Sequence, residues 1–222
     1  MYSVTTSNPG ISRKRGRRAA GAAYHHGDLR SALLTAAGSL LEAEGPAALS
    51  LREAARRAGV SHAAPYRHFP DREALLAALA AQGFEALGEQ LRATGETGAR
   101  AIGVAYLRFA LAQPQRYRLM FGVALSLSAH ADLRRAAEDA YNALARGLPP
   151  GDARAARASG AAAWALVHGL ASLLIDGHLS RAAADAGGDE ALVREALGVV
   201  RFARAAPSAM PPMNPARTSD CA

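Results

Sequence analysis

Apolar residues recur every three or four positions along most of this chain, which is the spacing of helices with one buried face. The first pattern includes Leu29, Leu33, Leu40 and Leu41, and it predicts a helix that Asp28 caps and that Gly45 ends. No segment shows the sustained alternation of apolar and polar residues that strands require. The pattern therefore predicts an all-α fold.

Cap residues divide the next part of the chain into three shorter units. Ser50 and Glu53 have the spacing of a capping box, which starts a second helix that stops at Gly59. Ser61 is predicted to cap a third helix of about eight residues, as far as His68. Asp71 is predicted to cap a fourth helix, which runs to about residue 92.

The helical pattern resumes after a break near residues 95–98. It predicts further helices near residues 98–112, 114–121, 132–147, 152–179 and 189–204. Residues 1–23 are polar and basic and lack a period, and residues 207–222 are rich in proline, so both are predicted to be disordered. Two helical domains remain, over residues 24–92 and 98–206.

The second and third helices, at about residues 50–69, have the spacing of a helix-turn-helix. Gly59 can take the positive φ that the sharp turn needs, and Ala55 is small enough for the helices to cross closely. A short, polar helix need not bury its outer face, so it can enter a DNA major groove. Ser61, His62 and Ala63 would lie deepest, where a histidine or a methyl group can contact base edges.

Other residues of the same unit are candidates for contacts with the DNA backbone. Tyr66, Arg67 and His68 follow the base-reading turn, and Arg72 adds a cation at the start of the fourth helix. The backbone amides near Ser50 begin a helix, and such amides favour a phosphate.

The distribution of charge also favours a polyanionic partner. The chain of 222 residues has a net charge of +7, and residues 1–72 contain 11 basic and 5 acidic residues. Arg17 and Arg18, in the basic arm, could follow a minor groove next to the site of the helix-turn-helix, or they could simply be solvated.

Cysteine content and apolar runs predict a cytoplasmic location. Cys221 is the only cysteine, so one chain can form neither a disulfide nor a cysteine-based metal site. No apolar run of signal-peptide length follows the basic arm. The least charged stretch, residues 159–175, falls slightly short of a membrane span and is more typical of a helix buried on several sides.

Two segments carry a resemblance to a known family. The run from YHHGDLRSALLTAAGSLLEAEG at Tyr24 to LSLREAARRAGVSHAAPYRHFPDREALLAAL at Leu79 resembles the DNA-binding domain of TetR-family transcriptional regulators. Pro65 stands where that family often has leucine, and Arg72 where lysine is usual. AYLRFALAQPQRYRLMFG and AWALVHGL, with Trp164, His168 and Gly169, resemble the subgroup named for a Trp-His-Gly signature. The resemblance implies about nine helices, a homodimer and repression released by a small molecule. A two-fold dimer presents two recognition helices, so the operator is predicted to be pseudo-palindromic.

Two sets of residues in the C-terminal domain are candidates for these further functions. Aromatic and other large side chains could line a ligand cavity or form a packed core in which the histidine is hydrogen-bonded; they are Tyr106, Phe109, Tyr117, Met120, Phe121, Trp164 and His168. Small and apolar residues of the last two helices suit a dimer interface; they are Ala161, Ala165, Leu166, Gly169, Leu170, Leu173, Leu192 and Val199.

Catalytic motifs are missing from the sequence. No phosphate-binding loop, serine elbow or metalloprotease helix is present, so no enzyme activity, cofactor or metal site is predicted. The predicted function is a DNA-binding transcriptional regulator. The alternative is a helical ligand-binding or membrane-surface protein whose basic end is incidental, with a helical hydrolase or isomerase as a third possibility.

Overall fold

A computed structural model describes residues 26–94, 98–122, 125–149 and 151–200, with side chains from residue 29 onward. Within these ranges all regular structure is helical, which confirms the predicted all-α class. Short 3-10 helices lie at Pro46–Ala48 and Pro65–Arg67. The α-helices are α1 (His26–Glu44), α2 (Leu51–Arg57), α3 (Arg72–Ala93), α4 (Ala99–Ala112), α5 (Pro114–Phe121), α6 (Ala131–Arg146), α7 (Ala153–Ile175), α8 (Ser180–Ala186) and α9 (Asp189–Val199).

The first domain is built around leucines that the helical period places inward. Leu33 and Leu40 of α1 are buried, as predicted, and Leu76 of α3 is buried with them. Asp71 caps α3 as predicted, because its Oδ1 accepts a hydrogen bond from the Ala74 amide at 2.8 Å. The N-terminal end of α3 therefore belongs to the same packed unit as α1 and α2.

The long helix α3 joins the two domains. It packs against α1 in the first domain and against α5 and α6 in the second, most extensively against α6. The helices α4, α7 and α9 of the second domain also pack against one another. Buried residues from both domains form one continuous hydrophobic core, so the two domains are in direct contact.

Several helix boundaries differ from the predicted ones. Helix α1 begins at His26, so Asp28 lies inside it instead of capping it. The predicted helix at 152–179 ends at Ile175, because Gly177 adopts a left-handed φ of 77° and the His178 amide donates to the Leu173 carbonyl. A separate helix, α8, follows this turn.

Helix α9 ends at Val199, earlier than the predicted residue 204, because Val200 is extended. The predicted count of nine helices agrees with the nine α-helices of the described residues, but the two sets differ. The predicted third helix is not an α-helix, and α8 was not predicted. The predicted disordered segments, 1–23 and 207–222, lie outside the described residues.

Candidate nucleic-acid interface

The turn after α2 has the predicted geometry. Gly59 has a φ of 69°, and the Val60 amide donates to the Ala55 carbonyl at 3.0 Å, which is the hydrogen bond of a Schellman motif. A side chain at Gly59 would meet no atom within 4 Å, so its backbone conformation, and not lack of space, explains the glycine. Ala55 is completely buried, as the close crossing requires.

The predicted third helix, from Ser61 to His68, is not an α-helix. The Ala64 amide donates to the Ser61 carbonyl, three residues back, and a 3-10 helix follows at Pro65–Arg67. Pro65 has no N–H, so it cannot donate to Ser61 as an α-helix would require. The Ser61 side chain caps no helix, because the residue that precedes the 3-10 helix is Ala64. The prediction of an α-helix was wrong because only the Ala64 amide reaches the Ser61 carbonyl, which gives a 3-10 turn.

The outer edge of this turn nevertheless exposes the predicted base-reading side chains. Ser61, His62, Ala63, Tyr66 and Arg67 are all exposed. Tyr66 is 53% exposed although it is one of the largest apolar rings in the domain. The polar side chains of this set make no hydrogen bond or ion pair with any residue that the structure describes. We call these five residues the recognition edge.

His68 lies apart from the recognition edge. It is only partly exposed, its ring is adjacent to Phe69, and its buried Nε2 has no partner among the described atoms. With Phe69 and Arg30 it borders a cavity of about 740 Å³ between α3 and α6. The structure therefore does not place His68 with the other predicted DNA contacts.

Ser50 and Arg72 hold the local structure together. Ser50 Oγ accepts the Glu53 amide at 3.1 Å, which confirms the predicted cap, but the Glu53 carboxylate pairs with Arg56 instead of returning to Ser50. Arg72 Nε donates to the Leu49 carbonyl at 2.7 Å, and its Nη2 donates to the Pro46 carbonyl. Arg72 thus fixes the start of α2 against α3, a role that its charge alone does not predict.

The remaining predicted contacts with DNA, Arg17 and Arg18, lie outside the described residues. Arg52, which was not predicted, is exposed on the first turn of α2 and has no partner within the described part of the chain. A basic residue two positions after a helix cap is the sequence signal that could have identified it.

The aromatic residues of the second domain form a packed cluster. Tyr106 is completely buried and its ring contacts those of Tyr117 and Trp164. Phe121 lies between Trp164 and His168, with ring centroids 6.0 and 4.4 Å away. Phe109 and Met120 are buried in the same continuous core. Most of the seven residues that were predicted to line a cavity or form a packed core therefore belong to a packed core.

His168 is hydrogen-bonded within this cluster. Its Nδ1 lies 2.7 Å from Tyr117 Oη, which is 3.3 Å from Tyr106 Oη. Burial lowers the pKa of His168, and burial raises the pKa of Tyr117 to about 12, so both groups are held in their neutral forms. A neutral imidazole can accept a hydrogen bond from the Tyr117 hydroxyl at Nδ1.

Two cavities flank the cluster. One, of about 200 Å³, is bordered by Tyr117, Phe121 and His168 together with Ser172 and Ile175, and the ion pair of Arg118 and Asp176 lies at its rim. The other, of about 700 Å³ and more open, is bordered by Trp164 and Tyr141 among others. Tyr106, Phe109 and Met120 border neither of these two cavities. Ser172 was not predicted, although it follows His168 by four positions and so shares its helix face.

One face of α7 and α9 is apolar and incompletely covered. Ala161, Ala165 and Leu173 are exposed, Leu166, Gly169, Leu170 and Leu192 are partly exposed, and Val199 is 83% exposed. Helix α7 is also the one helix of the described residues that is long and apolar enough to cross a membrane, with 28% of its most apolar window buried. Helices that pack in a soluble protein meet the same criteria of length and composition.

Comparisons with known proteins agree with this geometry. Residues 33–79 match the family model of bacterial regulatory proteins of the tetR family, and residues 99–200 match that of the Tetracyclin repressor-like C-terminal domain. A protein of unknown function from Rhodococcus sp. RHA1 has a similar structure, with 38% identity, a TM-score of 0.65, and coverage of 79% of this chain and 95% of its own. A search of curated proteins gave no match.

More distant structures share the fold. A TetR transcriptional regulator from Rhodococcus sp. RHA1 is 20% identical, with a TM-score of 0.58 and coverage of 79% of this chain and 97% of its own. TetR from Acinetobacter baumannii AYE is 17% identical, with a TM-score of 0.55 and coverage of 78% and 93%.

The helix-turn-helix and the helical domain behind it define a DNA-binding transcriptional regulator. The chain belongs to the TetR family, and the predicted Trp-His-Gly type of C-terminal domain is confirmed.

Proposed function

We propose that this regulator binds a pseudo-palindromic operator as a homodimer and that a small molecule releases it. The recognition edge carries this proposal. Exposed polar side chains that have no partner among the described residues have hydrogen-bonding capacity that base edges and phosphates can satisfy. In the same domain Arg56, Arg57 and Arg72 are already bonded to carboxylates or carbonyls.

The residues of the recognition edge have different roles in this proposal. Ser61, His62 and Ala63 read base edges, whereas Tyr66 and Arg67 contact the backbone of one strand. Arg52 and the amides that begin α2 near Ser50 add phosphate contacts, and the basic arm adds affinity through Arg17 and Arg18. Arg72 contributes positive charge, but its two bonds to carbonyls support a role in holding α2 against α3.

The dimer forms through the face of α7 and α9 in this proposal. Small residues such as Ala161, Ala165 and Gly169 allow two helices to approach closely, and a side chain added at Gly169 would meet no atom of its own chain within 4 Å. A second copy also explains why so apolar a helix is left uncovered in one chain. Two recognition edges related by a two-fold axis would then lie roughly 34 Å apart along the duplex.

The effector binds in the cavity beside His168. A volume of about 200 Å³ suits a compact molecule. Tyr117, His168 and Ser172 supply polar groups beside the apolar Phe121 and Ile175, and the Arg118–Asp176 ion pair adds charge at the rim. The effector favours a dimer whose recognition edges have the wrong separation. Coupling of about 1 to 3 kcal/mol, typical of allosteric proteins, would weaken DNA binding by about 5-fold to 150-fold.

A gel-shift titration at several salt concentrations tests the assignment of DNA contacts, with DNA flanking the gene and a random duplex as the two probes. Tyr66→Ala should weaken binding to both duplexes, whereas His62→Ala should relax the preference at one base pair by about 1 to 3 kcal/mol. His178→Ala, which changes an exposed histidine of the second domain, is the matched control and should leave both affinities unchanged.

Equal effects of His62→Ala and Tyr66→Ala on the two duplexes would contradict the division of roles. An absence of binding at low salt would instead favour the helical ligand-binding or membrane-surface alternative.

A further inference from the structure

Helix α5 lies between the predicted effector cavity and the DNA-binding domain. Its later residues Tyr117, Arg118 and Phe121 border the cavity of about 200 Å³. Its first residues contact α1, which belongs to the DNA-binding domain. A helix of eight residues is only about 12 Å long, so a rotation at one end moves the other end as well.

The N-terminal cap of α5 comes from α1. Glu42 Oε1 accepts the Arg116 amide at 2.7 Å, and Glu42 Oε2 accepts the Gln115 amide at 3.2 Å. The residue that precedes α5, Gln113, makes no side-chain cap of its own. The amides of a first helical turn need an external partner, and a carboxylate is favoured there by the helix dipole. Glu42 therefore holds the first turn of α5 on the DNA-binding domain.

Two glycines allow α5 to approach its neighbours closely. A Cβ at Gly38 of α1 would overlap Arg116 Nη2, and a Cβ at Gly83 of α3 would lie 2.6 Å from Met120 Sδ. The guanidinium of Arg116 is partly buried beside Gly38, and its buried Nε has no partner among the described atoms. Burial lowers the pKa of Arg116, and the charge of Glu42 opposes this shift.

A buried guanidinium nitrogen such as Arg116 Nε, which has no partner among the described atoms, costs stability. Packing alone therefore does not explain why Arg116 lies beside Gly38. Arg116 is held beside Gly38 by the same helix that Glu42 caps. The contact is therefore one unit, made of Glu42 and Gly38 on α1 and of the first turn of α5, and we call it the α1–α5 contact.

We propose that the α1–α5 contact transmits changes at the cavity to the DNA-binding domain, with Glu42 and Arg116 as positioning residues. This route is a direct contact between the two domains, and it acts beside the long helix α3, against which α5 also packs. The inference rests on the proposed function in one respect, since it takes the cavity beside His168 as the effector site.

Hydrogen–deuterium exchange of the full chain tests the inference without an effector or an operator. Ser172→Leu fills part of the cavity and takes the place of a ligand. In the otherwise unchanged protein it should alter exchange in residues 33–49, which comprise most of α1 and the 3-10 helix after it, by about threefold or more. In the Glu42→Ala background the same substitution should leave exchange in residues 33–49 unchanged, while its effect on α5 remains.

Matched variants separate coupling from a general loss of structure. Glu44 lies on the same helix as Glu42, but its carboxylate pairs with Arg57 of α2 and not with α5. Glu44→Gln should therefore preserve the response of α1. Glu42→Gln keeps an acceptor oxygen without the charge, and it should give an intermediate response. It also replaces Glu42→Ala if that variant does not fold, as judged by its helical circular dichroism.

Phe121→Ala, which removes part of the cavity wall, is the second perturbation. The proposal is overturned if α1 responds equally in the Glu42→Ala and unchanged backgrounds, or if neither Ser172→Leu nor Phe121→Ala alters α1. Because exchange is measured on the free protein, a failure to bind DNA would count against the proposed function alone.

Discussion

Replacing Gly59 by alanine should destabilise the turn that positions the recognition edge, and it should do so through backbone conformation alone. Gly59 has a φ of 69°, and a Cβ there would meet no atom within 4 Å, so no clash contributes. A left-handed conformation costs a non-glycine residue about 1 to 2 kcal/mol. For a chain of this size, that corresponds to a fall in Tm of about 2 to 8 °C, which calorimetry can measure.

Gly187→Ala is the matched control for this prediction. Gly187 ends α8 with a φ of 89°, and it too has open space around its missing side chain. Both variants should lose similar stability, but only Gly59→Ala should weaken DNA binding, because its turn positions the recognition edge. An unchanged Tm for Gly59→Ala, or an equal loss of DNA affinity in both variants, would refute the reasoning.

Three further predictions concern other parts of the molecule. Leu173→Asp places a charge on the face of α7, where the side chain is 43% exposed, and the variant should be monomeric in analytical ultracentrifugation. The control Leu127→Asp, at a position that is 46% exposed, should stay dimeric. A dimeric Leu173→Asp variant would place the interface elsewhere. Because the pKa of His168 is lowered in the folded state, the unfolded state binds more protons, so the free energy of unfolding should fall as the pH drops from about 7.5 to 5.5. If a His168→Gln variant shows the same dependence of stability on pH, His168 is not its source. Arg72→Lys keeps the charge but cannot reproduce the forked donation to two carbonyls, so both Tm and DNA affinity should fall; an unchanged affinity would support a role as a simple phosphate cation.

Local signals in the sequence were enough to predict the helix-turn-helix. The cap at Ser50, the left-handed Gly59 and the cap at Asp71 each depend on residues no more than three or four positions away. The α-helix predicted after Ser61 was wrong. Pro65 has no N–H, so it cannot donate the hydrogen bond to the Ser61 carbonyl that an α-helix requires, and a 3-10 helix forms instead. The predicted helix at 152–179 was too long because the apolar period continues past Gly177. Helix α8 was missed because alanines are the only apolar residues of its segment, so no apolar period marks it.

Long-range contacts could not be predicted in the same way. Helical spacing placed His168 and Trp164 on one face, but it did not show that Phe121 would lie between them or that the cavities would lie on either side. The cap of α5 by Glu42 joins residues more than seventy positions apart, and no local pattern marks such a pair. Gly38 and Gly83 were visible in helical segments, but their role depends on which helix crosses them.

The central claim is that two recognition edges, related by dimer symmetry, enter one face of a DNA duplex. A hydroxyl-radical footprint on the DNA flanking the gene tests it most directly. The account predicts two protected tracts related by a dyad, about one helical turn apart or somewhat more, and their loss in the Tyr66→Ala variant. A single protected tract, or a pair that Tyr66→Ala leaves intact, would contradict the account.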